Sequence, residues 1–143
     1  NLKSMLEILL GNTGHYIFCS SVVVYAPSQI FPVLEQFPKN FDAKMPVLAK
    51  LKVESEELLM DFFSERSLPI SIIRPSVVYG PDNTQPKRDC KIFELLHRGR
   101  KIIIPGSGQQ LFHPIHVDDL ATLFLATAEN KNSFGEAYNS TIA

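Results

Sequence analysis

The chain has 143 residues, 45% of them hydrophobic and 20% charged, which is enough apolar material for one core and excludes a disordered or low-complexity protein. Fourteen basic against fifteen acidic residues leave a net charge of -1, which excludes a global positive field able to gather nucleic acid or an anionic membrane. Cys19 and Cys90 form no metal-ligand spacing and no disulfide framework, so no metal is expected and a reducing, cytoplasmic setting is.

In chain order, Leu2, Met5, Leu6, Leu9 and Leu10 recur at the spacing of an amphipathic helix, with Gly11-Asn12 as its stop. The run from His15 to Ser21 is apolar and ends in small hydroxyl residues, as a buried parallel strand opening into a loop would. Ala26 to Pro46 carries four prolines and predicts an irregular loop. From Val47 to Arg66, Leu48, Leu51, Leu58, Leu59, Phe62 and Phe63 recur at helical spacing, with Lys50, Glu54 and Glu57 between them. Leu68 to Arg74 predicts a second buried strand, stopped by Pro75.

Asp82 to Asp89 reads as a polar loop, and Lys91 to Arg98 as a short helix ending at Gly99. A short strand is expected over Lys101 to Ile104, before a turn at Pro105-Gly106-Ser107-Gly108. A helix from Val117 to Glu129 has Asp118 and Asp119 in its first turn, where the helix dipole favours anions, and a last strand is expected over Ala137 to Ser140. Strands alternating with helices predict an α/β fold around a mostly parallel sheet. In such sheets ligands meet the carboxyl ends of the strands, which directs attention to Ser20-Ser21 and to Arg74-Pro75-Ser76. No apolar run approaches the ~20 residues that span a bilayer, so no membrane is expected. The chain opens at Asn1 on what already reads as a helix, so residues 1–143 are expected to be a single partial domain.

Four segments in order carry a resemblance. They are the strand end and turn Phe18-Cys19-Ser20-Ser21-Val22-Val23-Val24-Tyr25-Ala26; the helix Lys52-Val53-Glu54-Ser55-Glu56, with lysine four residues before a glutamate; the run Arg74-Pro75-Ser76-Val77-Val78-Tyr79-Gly80-Pro81; and Gly106-Ser107-Gly108 followed by His116-Val117-Asp118-Asp119. The set resembles the NAD-dependent epimerase/dehydratase family of the extended short-chain dehydrogenases. That resemblance implies a Rossmann-like three-layer parallel sheet, of which this chain would be the C-terminal portion, and NAD or NADP as cofactor. It also implies a nucleotide sugar as the small-molecule substrate and a homodimer packed through the long helix.

Residue by residue, the resemblance makes Ser21 the serine that holds the reacting oxygen and Lys52 the lysine that binds the cofactor ribose. Cys19, Ser20, Pro75 and Ser76 would line the cofactor, and Val78 and Phe112 the substrate. The family's chemistry moves a hydride between nicotinamide and an alcohol carbon while a tyrosine exchanges the hydroxyl proton. The lysine one helical turn later lies on the same face and lowers the phenol pKa by its charge.

Three departures qualify the resemblance. Counting back four from Lys52 reaches Leu48, where the family has the tyrosine, and no tyrosine lies between Tyr25 and Tyr79. Leucine has no proton to exchange, so the standard mechanism cannot run as written. The family's glycine-rich phosphate loop belongs to a region before Asn1, and Gly106-Ser107-Gly108 has no helix directly after it, so weak or absent dinucleotide binding is expected of these residues alone. Phe112 stands where nucleotide-sugar members commonly have a phosphate-binding arginine.

A looser similarity links Ile104 to Leu111, together with Asn83 and Asp89-Cys90, to the chloroplast stem-loop-binding branch of the family, whose members associate with RNA and also lack the tyrosine. The competing reading is therefore a non-catalytic binding protein on the same scaffold, with RNA as partner. Plainer readings stand beside these. Adjacent serines commonly cap a strand-to-loop turn, and Lys52 is equally readable as a solvated helix lysine. Pro75-Ser76 could be only a strand terminator. His113 and His116 lack a third ligand, so His116 reads as a helix cap rather than a metal ligand. The basic cluster Lys87-Arg88, Lys91, His97-Arg98 and Arg100-Lys101 lacks interleaved aromatic residues and reads as a solvated surface.

Overall fold

The computed structural model describes residues 1–83, 89–104, 106–109 and 112–141. Its elements run α1 (Leu2–Leu9), β1 (Tyr16–Cys19), a 3-10 turn (Val22–Val24), α2 (Val47–Arg66), β2 (Ile70–Pro75), β3 (Val77–Tyr79), α3 (Asp89–His97), β4 (Pro114–His116), α4 (Val117–Ala128), a second 3-10 turn (Lys131–Ser133) and β5 (Ala137–Ser140). β2 is the middle strand of a parallel sheet ordered β1-β2-β5, with Tyr16 opposite Ile70 and Pro75 opposite Ser140. β3 and β4 form a separate parallel pair.

Every residue of β2 is buried, as expected of a strand covered on both faces. Alternation sends Ile70 and Ile72 to one face, where they meet Leu6 of α1, Leu59 and Phe62 of α2, and Leu68. Each such side chain, fully buried, contributes about 1.5–3 kcal/mol. The opposite face receives Ser71, whose hydroxyl donates to the Ser133 carbonyl, and α4 packs on this side against β1 and β2. The result is a Rossmann-like three-layer arrangement that brings the carboxyl ends of β1, β2 and β5 to one edge.

Several local details follow from the sequence. The Asn12 side-chain amide donates to the carbonyls of Ile8 and Leu10, and Gly11 takes a φ of 72°, so Gly11-Asn12 does end α1. His116 caps α4, its Nδ1 accepting from the Asp118 N–H. Gly80 closes β3 at φ 156°, and a Cβ there would lie 2.6 Å from Cγ1 of Val117, so the tyrosine-glycine step needs glycine for the close approach to α4.

Other expectations are corrected. β2 does not stop at Arg74; Pro75 occupies its last position, where the missing N–H costs no ladder bond, and the Ser76 N–H still donates to the Ser140 carbonyl. Lys101 to Ile104 form no strand, and Ile103 is 95% exposed, because a short apolar run without a neighbouring strand has no ladder to join. β3 pairs with β4 instead, a pairing the hydrophobic pattern does not announce. The buried side of α2 is Ala49, Val53, Glu56, Leu59 and Phe62, whereas Leu48 and Leu51 face outward. The residues Thr84 to Arg88, Pro105, Gln110 and Leu111 lie outside the described residues, and with them parts of the expected polar loop, glycine turn and basic cluster. Among the described residues no helix is long and apolar enough to cross a membrane.

Candidate functional site

Two donors stand at the carboxyl end of the sheet. The Lys52 ammonium, carried by α2, reaches over the Phe18 ring at 4.7 Å from its centroid and donates to the Cys19 carbonyl at 2.6 Å. Ser21, two residues beyond that carbonyl, donates to the Pro75 carbonyl at 3.4 Å while its oxygen accepts from the Val23 N–H. Ser21 therefore does cap the 3-10 turn, and it also bridges the ends of β1 and β2. Lys52 is half-buried and directed at the strand end, so it is not a freely solvated lysine.

Around them, Cys19 is an exposed free thiol. Ser76 sits between the ends of β2 and β5, with a buried hydroxyl that lacks a protein partner. Ser20 is buried on the α2 face beside Glu56; its hydroxyl helps keep that carboxylate ionised without forming a hydrogen bond of good geometry. Val78 lies half-buried in β3 opposite Ile115, and Phe112 is exposed just before β4. The structure thus gathers Cys19, Ser20, Ser21, Lys52, Pro75 and Ser76 at one sheet edge and sets Val78 and Phe112 in or next to the second sheet. Leu48 lies one helical turn before Lys52 and is 62% exposed.

Sequence reading missed the polar centre beneath this edge. Arg74 is buried and makes a two-pronged pair with Glu56, Nε to Oε1 at 3.0 Å and Nη2 to Oε2 at 2.7 Å. Its Nη1 donates to the Tyr25 hydroxyl at 2.7 Å and to the Glu35 carbonyl at 2.9 Å, and its guanidinium stacks 5.0 Å from the Tyr25 ring centroid. The Tyr25 hydroxyl in turn donates to Asn139 Oδ1 at 2.6 Å, and Asn139 Nδ2 donates to the Val33 carbonyl. Lys39 completes the set by pairing with Glu56 at 3.2 Å. The expected loop at Ala26 to Pro46 is irregular, as predicted, but it is fastened from within by these groups.

Burial alone pushes the Glu56 carboxyl up; the hydrogen bonds from Arg74, the nearby Ser20 hydroxyl and the charges of Arg74 and Lys39 overcome that and hold it below the ordinary value. Burial likewise pulls the Arg74 guanidinium down, and the bonds and charge of Glu56 reverse it to a net rise. A signal for the pair existed. An arginine closing an otherwise apolar strand cannot be buried without a carboxylate, and Glu56 follows Lys52 by one helical turn.

Chemically, the edge offers hydrogen-bond donors and one fixed positive charge. Leu48 supplies no acid or base. The Tyr25 hydroxyl is already engaged, donating to Asn139 and accepting from Arg74. Among the described residues no group of three or more His, Cys, Asp or Glu could hold a metal ion. Lys91 and Arg98, from the basic cluster, both pair with Glu94, at 2.9 and 3.0 Å.

Comparison with known proteins agrees with the order of these segments. The sequence model of the NAD dependent epimerase/dehydratase family matches residues 3–140. The chain is 38% identical over 125 residues to the Arabidopsis thaliana chloroplast stem-loop binding protein of 41 kDa b, covering 87% of this chain and 30% of that protein. It is 31% identical over 129 residues to human dTDP-D-glucose 4,6-dehydratase, covering 87% of this chain and 34% of that one. Among solved structures, the dTDP-glucose 4,6-dehydratase of Bacillus anthracis, in complex with NAD, superposes with a TM-score of 0.80 at 19% identity, over 98% of this chain and 44% of that one. The chain thus spans about a third of the length of these curated relatives. Matched along nearly its whole length, it belongs to the NAD-dependent epimerase/dehydratase family.

Proposed function

We propose that the protein binds NAD or NADP and a small alcohol substrate of the nucleotide-sugar kind, at the sheet edge built by Ser21, Lys52 and Pro75-Ser76, and that Leu48 impairs its standard catalysis. The observation that carries this reading is the convergence of Lys52 and Ser21, from a helix and a strand end far apart in sequence, on the carbonyls that end β1 and β2 at that edge. The residues fit the nicotinamide-ribose end of such a cofactor. Lys52 offers a fixed charge, and the partnerless buried hydroxyl of Ser76 offers a polar contact where Pro75 ends the strand. Cys19 and Ser20 would lie on the same side, with Val78 and Phe112 towards the substrate. These residues include no glycine-rich loop leading into a helix, so they supply no pyrophosphate cradle of that kind.

When bound, the nicotinamide takes up or returns a hydride. The chain's own residues then do the rest: Lys52 orients the ribose and Ser21 donates to the substrate oxygen. With leucine at position 48 no side chain of α2 takes the hydroxyl proton, which removes a contribution of about 10²–10⁴ in rate. Phe112 offers an aromatic face where an arginine would offer charge, so a diphosphate is held less firmly there.

Titrating NADH and NADPH into the full-length protein by fluorescence tests the reading. Saturation below about 1 mM is expected, and its absence for both would leave the interaction-protein alternative. That alternative, a non-catalytic binding protein associated with RNA, is favoured by Leu48 together with the similarity to the Arabidopsis stem-loop binding protein. The pairing of Lys91 and Arg98 with Glu94 weighs against an RNA surface there. A gel-shift titration with a stem-loop RNA decides it, a shift that disappears at modest salt counting as non-specific.

We also propose a homodimer through α1 and α2, supported by exposed Ile8, Val47 and Leu51, and checked by light scattering of the full-length protein. A cytoplasmic location rests only on the free thiol of Cys19, and the name of the Arabidopsis relative supplies the chloroplast as the other choice.

A further inference from the structure

We propose that Arg74 and Tyr25 are positioning residues, whose mutual contact fixes where the Lys52 ammonium and the Ser21 hydroxyl stand relative to each other. Neither faces the open edge. Both act through what they hold.

On one side, Arg74 grips α2. Glu56 follows Lys52 by one turn of that helix, and the guanidinium takes both of its carboxylate oxygens. A slide or rotation of α2 that carried Lys52 away from the Cys19 carbonyl would break both of these bonds. Such a two-bond planar fork resists rotation in a way that a single ammonium contact cannot.

On the other side, Arg74 grips the turn that carries Ser21. Tyr25 ends the short turn that Ser21 begins. Its ring lies under the guanidinium and its hydroxyl is held between Arg74 Nη1 and Asn139. The residue after Arg74 is Pro75, whose carbonyl accepts from Ser21. Lys52 and Ser21 never touch each other among the contacts of this structure, yet each is tied to Arg74 through a short chain of bonds. The same guanidinium also holds the Glu35 carbonyl, so the segment after the turn closes the arrangement from outside.

The test compares Tyr25→Phe and Arg74→Lys with wild type in the full-length protein, well below the melting temperature. Limiting acetic anhydride is applied and the acetylation of Lys52 is read by peptide mass spectrometry relative to Lys50. Lys50 lies on the same helix, is exposed, and has only a 3.8 Å contact with Glu54, so it reports general reagent access. Freed of its carbonyl, Lys52 should react faster, and we expect the Lys52 to Lys50 ratio to rise at least about threefold in both variants, with the NADH dissociation constant rising about tenfold.

An unchanged ratio in Tyr25→Phe overturns the proposal, and that variant, which keeps the ring under the guanidinium, carries the test if Arg74→Lys does not fold. A raised ratio with unchanged NADH affinity, in a protein whose wild type binds NADH, overturns it as well. The NADH arm rests on the dinucleotide-binding reading above, whereas the acetylation arm does not. A wild type that binds no NADH therefore sinks that reading and leaves the ratio to judge the positioning.

Discussion

The polar centre around Arg74 and the open edge above it differ in how completely their groups are used. In the centre, Glu56, Tyr25, Asn139 and Lys39 meet the guanidinium or each other within hydrogen-bond or ion-pair distance, and both ionised groups of the main pair are buried. At the edge, Ser21 has only 3.4 Å contacts, the Ser76 hydroxyl has no protein partner, and Leu48 presents an apolar side chain. The groups that hold the scaffold are paired with one another, while hydroxyls at the edge are left with weak contacts or none. Holding the fold together and presenting free groups fall to different residues here, and the difference can be probed from either side.

Breaking the centre should have the largest effect. Arg74→Met leaves the Glu56 carboxylate buried with only Lys39 opposite it, and removing one partner of a buried pair costs about 3–5 kcal/mol. Urea unfolding of the full-length protein measures it. A loss near that of a surface ion pair, about 0–1 kcal/mol, would mean that the centre is wet and the comparison is wrong.

Acid should act on the same group. The folded Glu56 carboxyl lies below its ordinary value of 4.5, so its contribution is fully present above that value and is lost as the pH falls through the lower folded one. Wild type should therefore lose stability more steeply than Glu56→Gln over roughly pH 5 to pH 3, read as the slope of the urea midpoint against pH. Parallel slopes would place the acid-sensitive groups elsewhere.

These two experiments bear on what the sequence made legible. The helices at α2 and α4 and the strands β2 and β5 follow from hydrophobic period and length, because tertiary packing there agrees with local pattern. The placement of Ser20-Ser21 and Pro75-Ser76 at one edge was legible too, since parallel strands bring their carboxyl ends to the same side. Three things were not. The partner of a short strand depends on distant chain, so the run at Lys101 to Ile104 looked like a strand while the β3–β4 pair did not. The outward turn of Leu48 and Leu51 was hidden because the buried side of α2 includes Ala49 and the charged Glu56, which hydrophobicity alone assigns to the surface. Arg74 was read as flanking a ligand, because a buried charge is invisible until its partners are brought together.

A smaller effect is expected from Tyr25→Phe. It removes one hydroxyl that donates to Asn139 and accepts from Arg74 while keeping the ring stacked on the guanidinium. A net loss of about 1–2 kcal/mol is expected, the range for a hydrogen bond with one charged partner whose other groups keep some contacts. Thermal or urea unfolding checks it. A cost equal to that of Arg74→Met would show that the centre fails as one unit instead of bond by bond.

The smallest effect on stability should come from the substitution that matters most for chemistry. Leu48→Tyr changes an exposed side chain on a helix whose packed face is elsewhere, so the stability change should stay within about 0.5 kcal/mol. The phenol would stand on α2 one turn before Lys52, on the same side of the helix, where the ammonium favours the phenolate. If the edge is otherwise a working site, the full-length variant should acquire turnover with NAD and a nucleotide sugar, read as NADH formation or as epimerised product, while wild type shows none. Turnover that appears with Leu48→Tyr but vanishes when Lys52→Met is added would show that the retained lysine was waiting only for its phenol. A variant that binds dinucleotide as wild type does, yet turns over nothing, would show that position 48 alone does not decide turnover, with Phe112 the next residue to change.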